Sequence, residues 1–523
     1  MTDPYQQAVT RQRAASDPSA SVFVSANAGT GKTKVLTDRV LRLLLDGARP
    51  EAILCVTYTR AAAAEMTQRL NRRLASWAVC PQSQLLEELA EMGESPASAA
   101  QIAVARNLFA SILDNENGPR VETMHSFCQS VLARFPIEAG VPPHFQLASE
   151  AELKSLLISC FYQLAADPSG EIAELLAYLS SQADERSLLD HLQEIIAHDE
   201  VSTRLGQDPA GLAEMERFIR ADLGWPDSKA LAAEQRAVLD YLAGAGLSRL
   251  ADQLAEDGKT GQKRATLLRQ WLALPEESRP AQLALLAGVF FTKGSLLKNL
   301  ASKKLAAAQP ELITHQEQIA RHLARYYRAE TACATASRSL ALARLAGHLT
   351  RRYQAAKWQR SWLDFDDLIR LADQLLARDG MIGWVQWKLD SGIQHLLVDE
   401  AQDTSPAQWR LLDRLAGPFF DSIPEAGQPD RTLFAVGDFK QSIYRFQGAS
   451  PAAFASQQEK FAALLQGSGR QLSIQNFTLS FRSSRAVLDF VDVMMSDPAH
   501  GGMGQNWQDH QTYWTGQPGF VEC

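Results

Sequence analysis

With 523 residues the chain is long enough for about three or four domains. Its composition, 46% hydrophobic and 21% charged, excludes a disordered or fibrous protein. The six scattered cysteines (Cys55, Cys80, Cys128, Cys160, Cys333, Cys523) form no C-x-x-C pair, which argues against a zinc ribbon, an iron–sulfur cluster or a disulfide scaffold. No basic start followed by an apolar stretch marks a secretory signal, and the apolar run Leu283–Phe291 is far short of the ~20 residues of a membrane span, so a cytoplasmic, membrane-free protein is expected. A net charge of −8 counts against a polyanionic partner, yet residues 1–78 carry eleven Lys and Arg against six Asp and Glu. Such a local surplus suits a phosphate backbone and equally suits a solvated helix face.

In chain order, the first predicted element is a short buried strand at Val22-Phe23-Val24. It runs into Ala26-Asn27-Ala28-Gly29-Thr30-Gly31-Lys32-Thr33, the phosphate-binding loop pattern with Ala26 in place of its usual first glycine. Phosphates need converging backbone N–H groups, so Gly29 and Gly31 supply the required dihedrals; Lys32 would reach the terminal phosphates and the Thr33 hydroxyl would ligate Mg²⁺. An amphipathic helix follows (Val35, Leu36, Val40, Leu43, Leu44) and ends at Asp46-Gly47. Ile53-Leu54-Cys55-Val56 is a second strand, again followed by helical sequence. A small helical insertion over 78–118 is broken by Gly93 and Pro96. From about 150 to 360 the chain is rich in Ala, Leu, Gln, Glu and Arg with few strand-like segments, and Leu153, Leu156, Leu157, Cys160 and Leu164 keep helical spacing.

Leu396-Leu397-Val398 is a third strand that ends in Asp399-Glu400, placing two carboxylates at the carboxyl edge of a sheet. Beside a phosphate loop, Asp399 would hold Mg²⁺ through water and Glu400 would polarise the water that attacks the γ-phosphate. After a proline- and glycine-rich loop, 417–429, comes a fourth strand, Leu433–Val436. The reading is an α/β fold, a P-loop NTPase sheet of parallel strands with helices on both faces and a large inserted all-helical domain. Its expected chemistry is hydrolysis of a nucleoside triphosphate.

Several segments in order resemble the motifs of superfamily 1A helicases. Gln12, with Arg13-Ala14-Ala15, stands where these helicases keep the glutamine that reads adenine, and Val56-Thr57-Tyr58-Thr59-Arg60 opens a stretch similar to motif Ia. Thr123-Met124-His125-Ser126-Phe127-Cys128 resembles the T-F-H-S-F-C segment, Val436-Gly437-Asp438-Phe439-Lys440-Gln441-Ser442-Ile443-Tyr444 motif III, and Leu479-Ser480-Phe481-Arg482-Ser483 motif IV. Trp362-Leu363-Asp364-Phe365-Asp366-Asp367-Leu368 is similar to the D-F-x-D-L segment of AddA/RecB-like helicase-nuclease subunits, nearest the alphaproteobacterial AddA type.

The resemblance implies a RecA-like motor domain over 1–150 and 356–470, a helical 1B-like insertion over 151–355, and the start of a second RecA-like domain over 471–523. It implies an ATP- and Mg²⁺-dependent 3′→5′ DNA helicase of double-strand-break repair in the bacterial, nucleoid-associated cytoplasm. Its partners would be single-stranded DNA, duplex ends and an AddB-like nuclease subunit. Gln441 would sense the γ-phosphate and Arg482 would act as an arginine finger, with Thr57, Tyr58, Thr59, His125, Tyr444 and Phe446 on the DNA. Taken alone, Phe446 is also explained by core packing, Arg482 by a surface ion pair, and Cys128 by packing. Departures are Ala61 for Lys in motif Ia, Gln447 for Arg in motif III and Ser480 for Asn in motif IV. The chain stops at Cys523, soon after motif IV, so a fragment lacking motifs V and VI and a nuclease domain is expected. A UvrD/Rep-type repair helicase, a non-motor ATP-binding DNA scaffold and a metabolic P-loop kinase are the alternatives.

Overall fold

The computed structural model describes residues 3–93, 97–114, 118–166, 170–207, 209–224, 228–292, 294–388, 392–420, 431–442, 451–495 and 509–519. Six strands form one sheet: β1 (Ser21–Ala26), β2 (Ile53–Thr57), β3 (Arg120–Thr123), β4 (His395–Val398), β5 (Thr432–Gly437) and β6 (Leu472–Phe477). Their order is β6-β1-β5-β4-β2-β3 and every pairing is parallel, with Val24 opposite Val436, Leu397 opposite Phe434 and Cys55 opposite Leu397. All carboxyl ends therefore lie on one edge. The four strands expected from apolar runs are the four interior ones. A parallel strand covered on both faces reads as unbroken apolar sequence, whereas the edge strands β3 and β6 are half-buried and polar and give no such signal.

Side chains alternate between two cores. Phe23, Leu54, Val56, Leu396 and Val398 pack on one face with Phe127, Leu368 and Leu412, while Val22, Val24, Cys55, Leu397 and Phe434 pack on the other with Leu36, Met66 and Trp77. The helices nearest the site start at defined caps. Asp3 caps α1 (Pro4–Ala15), Gly31 in the left-handed region opens α2 (Lys32–Leu45), Thr59 caps α3 (Arg60–Val79) and Thr123 caps α4 (Met124–Arg134). In the 78–118 stretch, helices Gln82–Met92 and Ala99–Asp114 follow, the first closed by Gly93 at φ +103°. Pro96 lies outside the described residues.

By compactness the chain divides into two units, 1–148 with 361–523, and 149–360. The second is built of helices, including one of 50 residues, Pro310–Gln359, plus the short hairpin of Phe291–Thr292 and Ser295–Leu296. Its first helix, Glu150–Ala165, opens on a Ser149–Glu152 capping box and buries Leu156, Leu157, Cys160, Phe161 and Leu164. The expected change of domain at 471 does not coincide with a change of sheet. Residues 472–477 run beside β1, from Ser21 opposite Leu472 to Ala26 opposite Phe477. The next strand, Leu479–Ser480, leaves that sheet and pairs with Gln511–Thr512. Among the described residues no helix is long and apolar enough to cross a membrane.

Beneath the amino ends of the strands, Arg39 is fully buried and donates to the carbonyls of Ala15, Asp17 and Ala20 and to Thr432 Oγ1. Burial, the largest influence, lowers its pKa to about 9. Thr432 Oγ1 also lies 2.9 Å from His395 Nδ1. Because that hydroxyl accepts from Arg39, its own proton is directed to an unprotonated imidazole nitrogen. Burial, and then the Arg39 charge, lower the His395 pKa from 6.5 to about 4. The folded protein thus keeps this imidazole neutral, a contribution present above pH 6.5 and lost as pH falls from 6.5 through 4. Unfolding free energy should drop by up to about 3 kcal/mol between pH 7 and pH 4 through this residue. Denaturant titrations of His395→Asn should show a flatter pH dependence than the parent; equal slopes would contradict the assignment.

Candidate active site

The loop between β1 and α2 has the shape its glycines predict. Gly29 and Gly31 lie at φ +75° and +92°, left-handed values that L side chains avoid. Thr30 Oγ1 donates to Asn27 O at 2.8 Å and closes the turn, and the N-terminus of the 14-residue helix α2 lies at its end. Free N–H groups at a helix start attract anions, so the loop can cradle phosphates. Gln12, buried in α1, donates to Thr30 O at 3.0 Å. Beside it a cavity of about 70 Å³ is lined by Gln7, Arg11, Gln12, Thr30 and Asn476, with Arg11 donating to Asn476 O at 3.0 Å.

Across from the loop, β4 delivers the two acids. Asp399 N donates to Val56 O at 2.9 Å, keeping strand pairing up to that residue, and the chain then turns sharply at Glu400, a non-glycine residue at φ +47°. The Glu400 carboxylate accepts from Lys32 Nζ at 3.1 Å and from Gln402 Nε2 at 2.8 Å. Asp399 is buried, and burial first, then the Glu400 charge, push its pKa up to about 6. The fully buried Gln402 also accepts from Asp438 N at 2.9 Å, joining the ends of β4 and β5. That approach requires Gly437, where an added Cβ would stand 2.6 Å from Gln402 Oε1. Asp438 in turn accepts from Gln441 Nε2 at 2.7 Å.

Motif IV closes over the loop. Phe481 N donates to Gly29 O at 2.8 Å, and a Cβ on Gly29 would stand 2.5 Å from Arg482 Cβ. The buried Ser480 hydroxyl accepts from Arg482 N and Ser483 N, both at 3.3 Å, so serine serves as the turn's cap. Lys32, Glu400, Gln441 and Arg482 thus gather around one loop, together with Gln12, Ala26, Asn27, Ala28, Thr30, Thr33 and Asp399. Gln402, Asp438 and Lys440 complete the network without having been singled out from sequence. Their signal was present: each is polar and directly follows a buried parallel strand.

Among the described residues no cluster of three His, Cys, Asp or Glu could hold a metal by itself. A hydroxyl at Thr33 and a buried carboxylate at Asp399 nevertheless fit Mg²⁺, which takes one or two protein oxygens and fills its octahedron with phosphates and water.

The expected DNA residues lie at the carboxyl ends of β2 and β3. Thr57 is only 2% exposed and its hydroxyl donates to Thr59 O, so its place is inside the turn rather than on a ligand surface. Thr59 is exposed and caps α3; Tyr58 is half-buried. His125 packs edge-on to Phe365 with ring centroids 5.1 Å apart, and burial, then the Arg60 charge, lower its pKa. A groove of about 580 Å³ beside them is lined by Arg60, Thr67, Gln68, Asn71, Glu122 and Ser126, among others. Cys128 is fully buried with its thiol pKa raised by burial, consistent with packing. Tyr444 and Phe446 lie outside the described residues.

Comparison with known proteins places these features in a family. The chain is 25% identical to the ATP-dependent helicase/nuclease subunit (AddA) of Exiguobacterium sibiricum, over 98% of this chain and 42% of that protein. It is 28% identical to the proteins of the same name from Pelotomaculum thermopropionicum, over 92% and 38%, and Desulfitobacterium hafniense, over 96% and 36%. It therefore spans about two fifths of the length of these relatives. Residues 8–462 match the UvrD/REP helicase N-terminal domain. That match begins ahead of the phosphate loop, takes in every strand of the sheet except β6 and runs past the Gln441 turn, and the chain belongs to the UvrD/REP helicase N-terminal domain family.

Proposed function

We propose that this chain is the ATP-driven motor portion of an AddA-type helicase subunit of double-strand-break repair, moving 3′→5′ along single-stranded DNA beside an AddB-like nuclease partner. One observation carries the reading: Lys32 of the phosphate loop meets Glu400 at the end of β4, while motif IV lies directly on Gly29. The relatives' name, which joins helicase to nuclease and to the word subunit, supports a repair assembly. In this reading the six-stranded sheet is a RecA-like domain, 149–360 is a 1B-like insertion, and Leu479 onward opens the second motor domain.

Hydrolysis then follows from the residues in place. Lys32 exchanges Glu400 for the β- and γ-phosphates, and the released carboxylate takes a proton from the attacking water as its oxygen bonds to the γ-phosphorus. The bond to the β-phosphate breaks, leaving ADP and inorganic phosphate. Mg²⁺ held by Thr33 and Asp399 would neutralise phosphate charge in this step. Gln441, oriented by Asp438, is placed to report loss of the γ-phosphate to β5. Tyr58, Thr59 and His125 lie on the same sheet edge, where single-stranded DNA would cross; Tyr444 and Phe446 are proposed to join them.

The test measures ATP hydrolysis with and without single-stranded DNA, then strand separation on 3′-tailed and 5′-tailed duplexes. DNA-stimulated hydrolysis with separation of the 3′-tailed substrate alone is expected. Hydrolysis without separation would identify a non-motor switch, and hydrolysis indifferent to DNA would overturn the nucleic-acid role.

A further inference from the structure

Asn27 occupies the second position of the phosphate loop and is 7% exposed. Its backbone is fixed on both sides: N donates to Phe477 O at 3.0 Å and O accepts from Thr30 Oγ1 at 2.8 Å. Its Oδ1 accepts from Lys440 Nζ at 2.5 Å, across 413 positions of sequence. Lysine has donors only, so the oxygen must face it, and the amide nitrogen is turned the other way. Among the described residues nothing accepts from that buried Nδ2. A buried donor without an acceptor costs about as much as a lost hydrogen bond and calls for a ligand that supplies one.

Lys440 belongs to the turn that carries Gln441. Its backbone N donates to Asp438 Oδ1 at 3.1 Å, the side chain is half-buried, and burial lowers its pKa while the Asp438 and Asp492 charges oppose that shift. The bonds form a closed ring. From Lys32 it passes through Glu400, Gln402 and Asp438 to Lys440, and Lys440 returns it to the loop at Asn27.

We propose that Lys440 is a positioning residue for the triphosphate: by claiming Asn27 Oδ1 it presents Asn27 Nδ2 as a donor to a phosphate oxygen. The inference rests on the ATP-site reading above and deepens it. The ligand class is an oligophosphate, because the loop offers donors throughout and phosphate oxygens accept only. The amide contact forms with the ground state as well as the transition state, so its loss appears in KM rather than kcat.

Four variants of the full chain, assayed for steady-state ATP hydrolysis and thermal melting, decide it. Lys440→Met frees the amide to turn over and should raise KM for ATP about tenfold with kcat nearly unchanged. Lys440→Arg again places only donors against Oδ1 and should restore KM. Asn27→Asp keeps an acceptor for Lys440 but turns a carboxylate oxygen toward the phosphates, so KM should rise about a hundredfold while the melting temperature holds or rises. Asn27→Ala should resemble Lys440→Met. An Asn27→Asp protein with parental KM, or a Lys440→Met protein that loses only thermal stability, would overturn the proposal. Failure of the ATP-site reading is distinguishable, since the parent chain itself would then not hydrolyse ATP.

Discussion

Glu400→Gln should leave ATP bound and lower its turnover by about 10²–10⁴-fold, the range for loss of a positioned general base. The substitution keeps side-chain volume and an acceptor oxygen, so the bonds from Lys32 Nζ and Gln402 Nε2 can persist. What disappears is the negative charge that draws a proton from water. The left-handed backbone at Glu400 supports this division of labour. A residue at φ +47° costs about 1–3 kcal/mol and persists where its surroundings dictate it, here through strand pairing up to Asp399 on one side and Gln402 on the other. Lys32→Ala should behave differently, losing nucleotide affinity as well as turnover, because its charge is spent on the phosphates themselves. Equilibrium binding of a labelled ATP alongside single-turnover hydrolysis separates the two. Glu400→Gln turning over at the parental rate would remove the carboxylate from the mechanism.

Arg482→Ala should lower kcat by about 10³-fold or more with KM for ATP little changed, the signature of a fork that acts on transition-state charge. Its placement makes this specific. The Phe481 N–H is anchored on Gly29 O, Ser480 caps the turn, and the Arg482 backbone touches the loop while its side chain stays exposed and able to swing to a ligand. Arg482→Lys should recover little, since a point charge cannot reproduce a planar bidentate fork. Gly29→Ala tests the same contact from the other side. Its Cβ would stand 2.5 Å from Arg482 Cβ and 2.9 Å from Ser480 Oγ at a φ of +75°, so motif IV must move away and turnover should fall with it. Pre-steady-state hydrolysis rates report both; a Gly29→Ala protein with parental turnover would show that motif IV need not lie on the loop.

The phosphate loop, its strand and helix, and the acidic pair were legible in sequence because each is local. Two glycines, a lysine and a threonine at fixed spacing demand one backbone course, and a strand that runs straight into two carboxylates needs no distant partner to be recognised. The four interior strands were legible for a related reason, since burial on both faces writes them as apolar runs. The edge strands β3 and β6 were not, because half of each faces away from the core and its sequence is mixed. That is also why 472–477 read as the opening of a new domain, although it completes the first sheet beside β1. Gln402, Asp438 and Lys440 show what only the tertiary structure decides. Residue types can announce that a polar group follows a strand, but which acceptor it meets depends on strand order: β4 beside β5 brings Gln402 to Asp438, and β1 beside β5 brings Lys440 to Asn27. Sequence alone determined the chemistry of the loop and the acids; sheet topology determined which side chains close the ring around them, because contacts between strands far apart in the chain are set by packing and not by spacing.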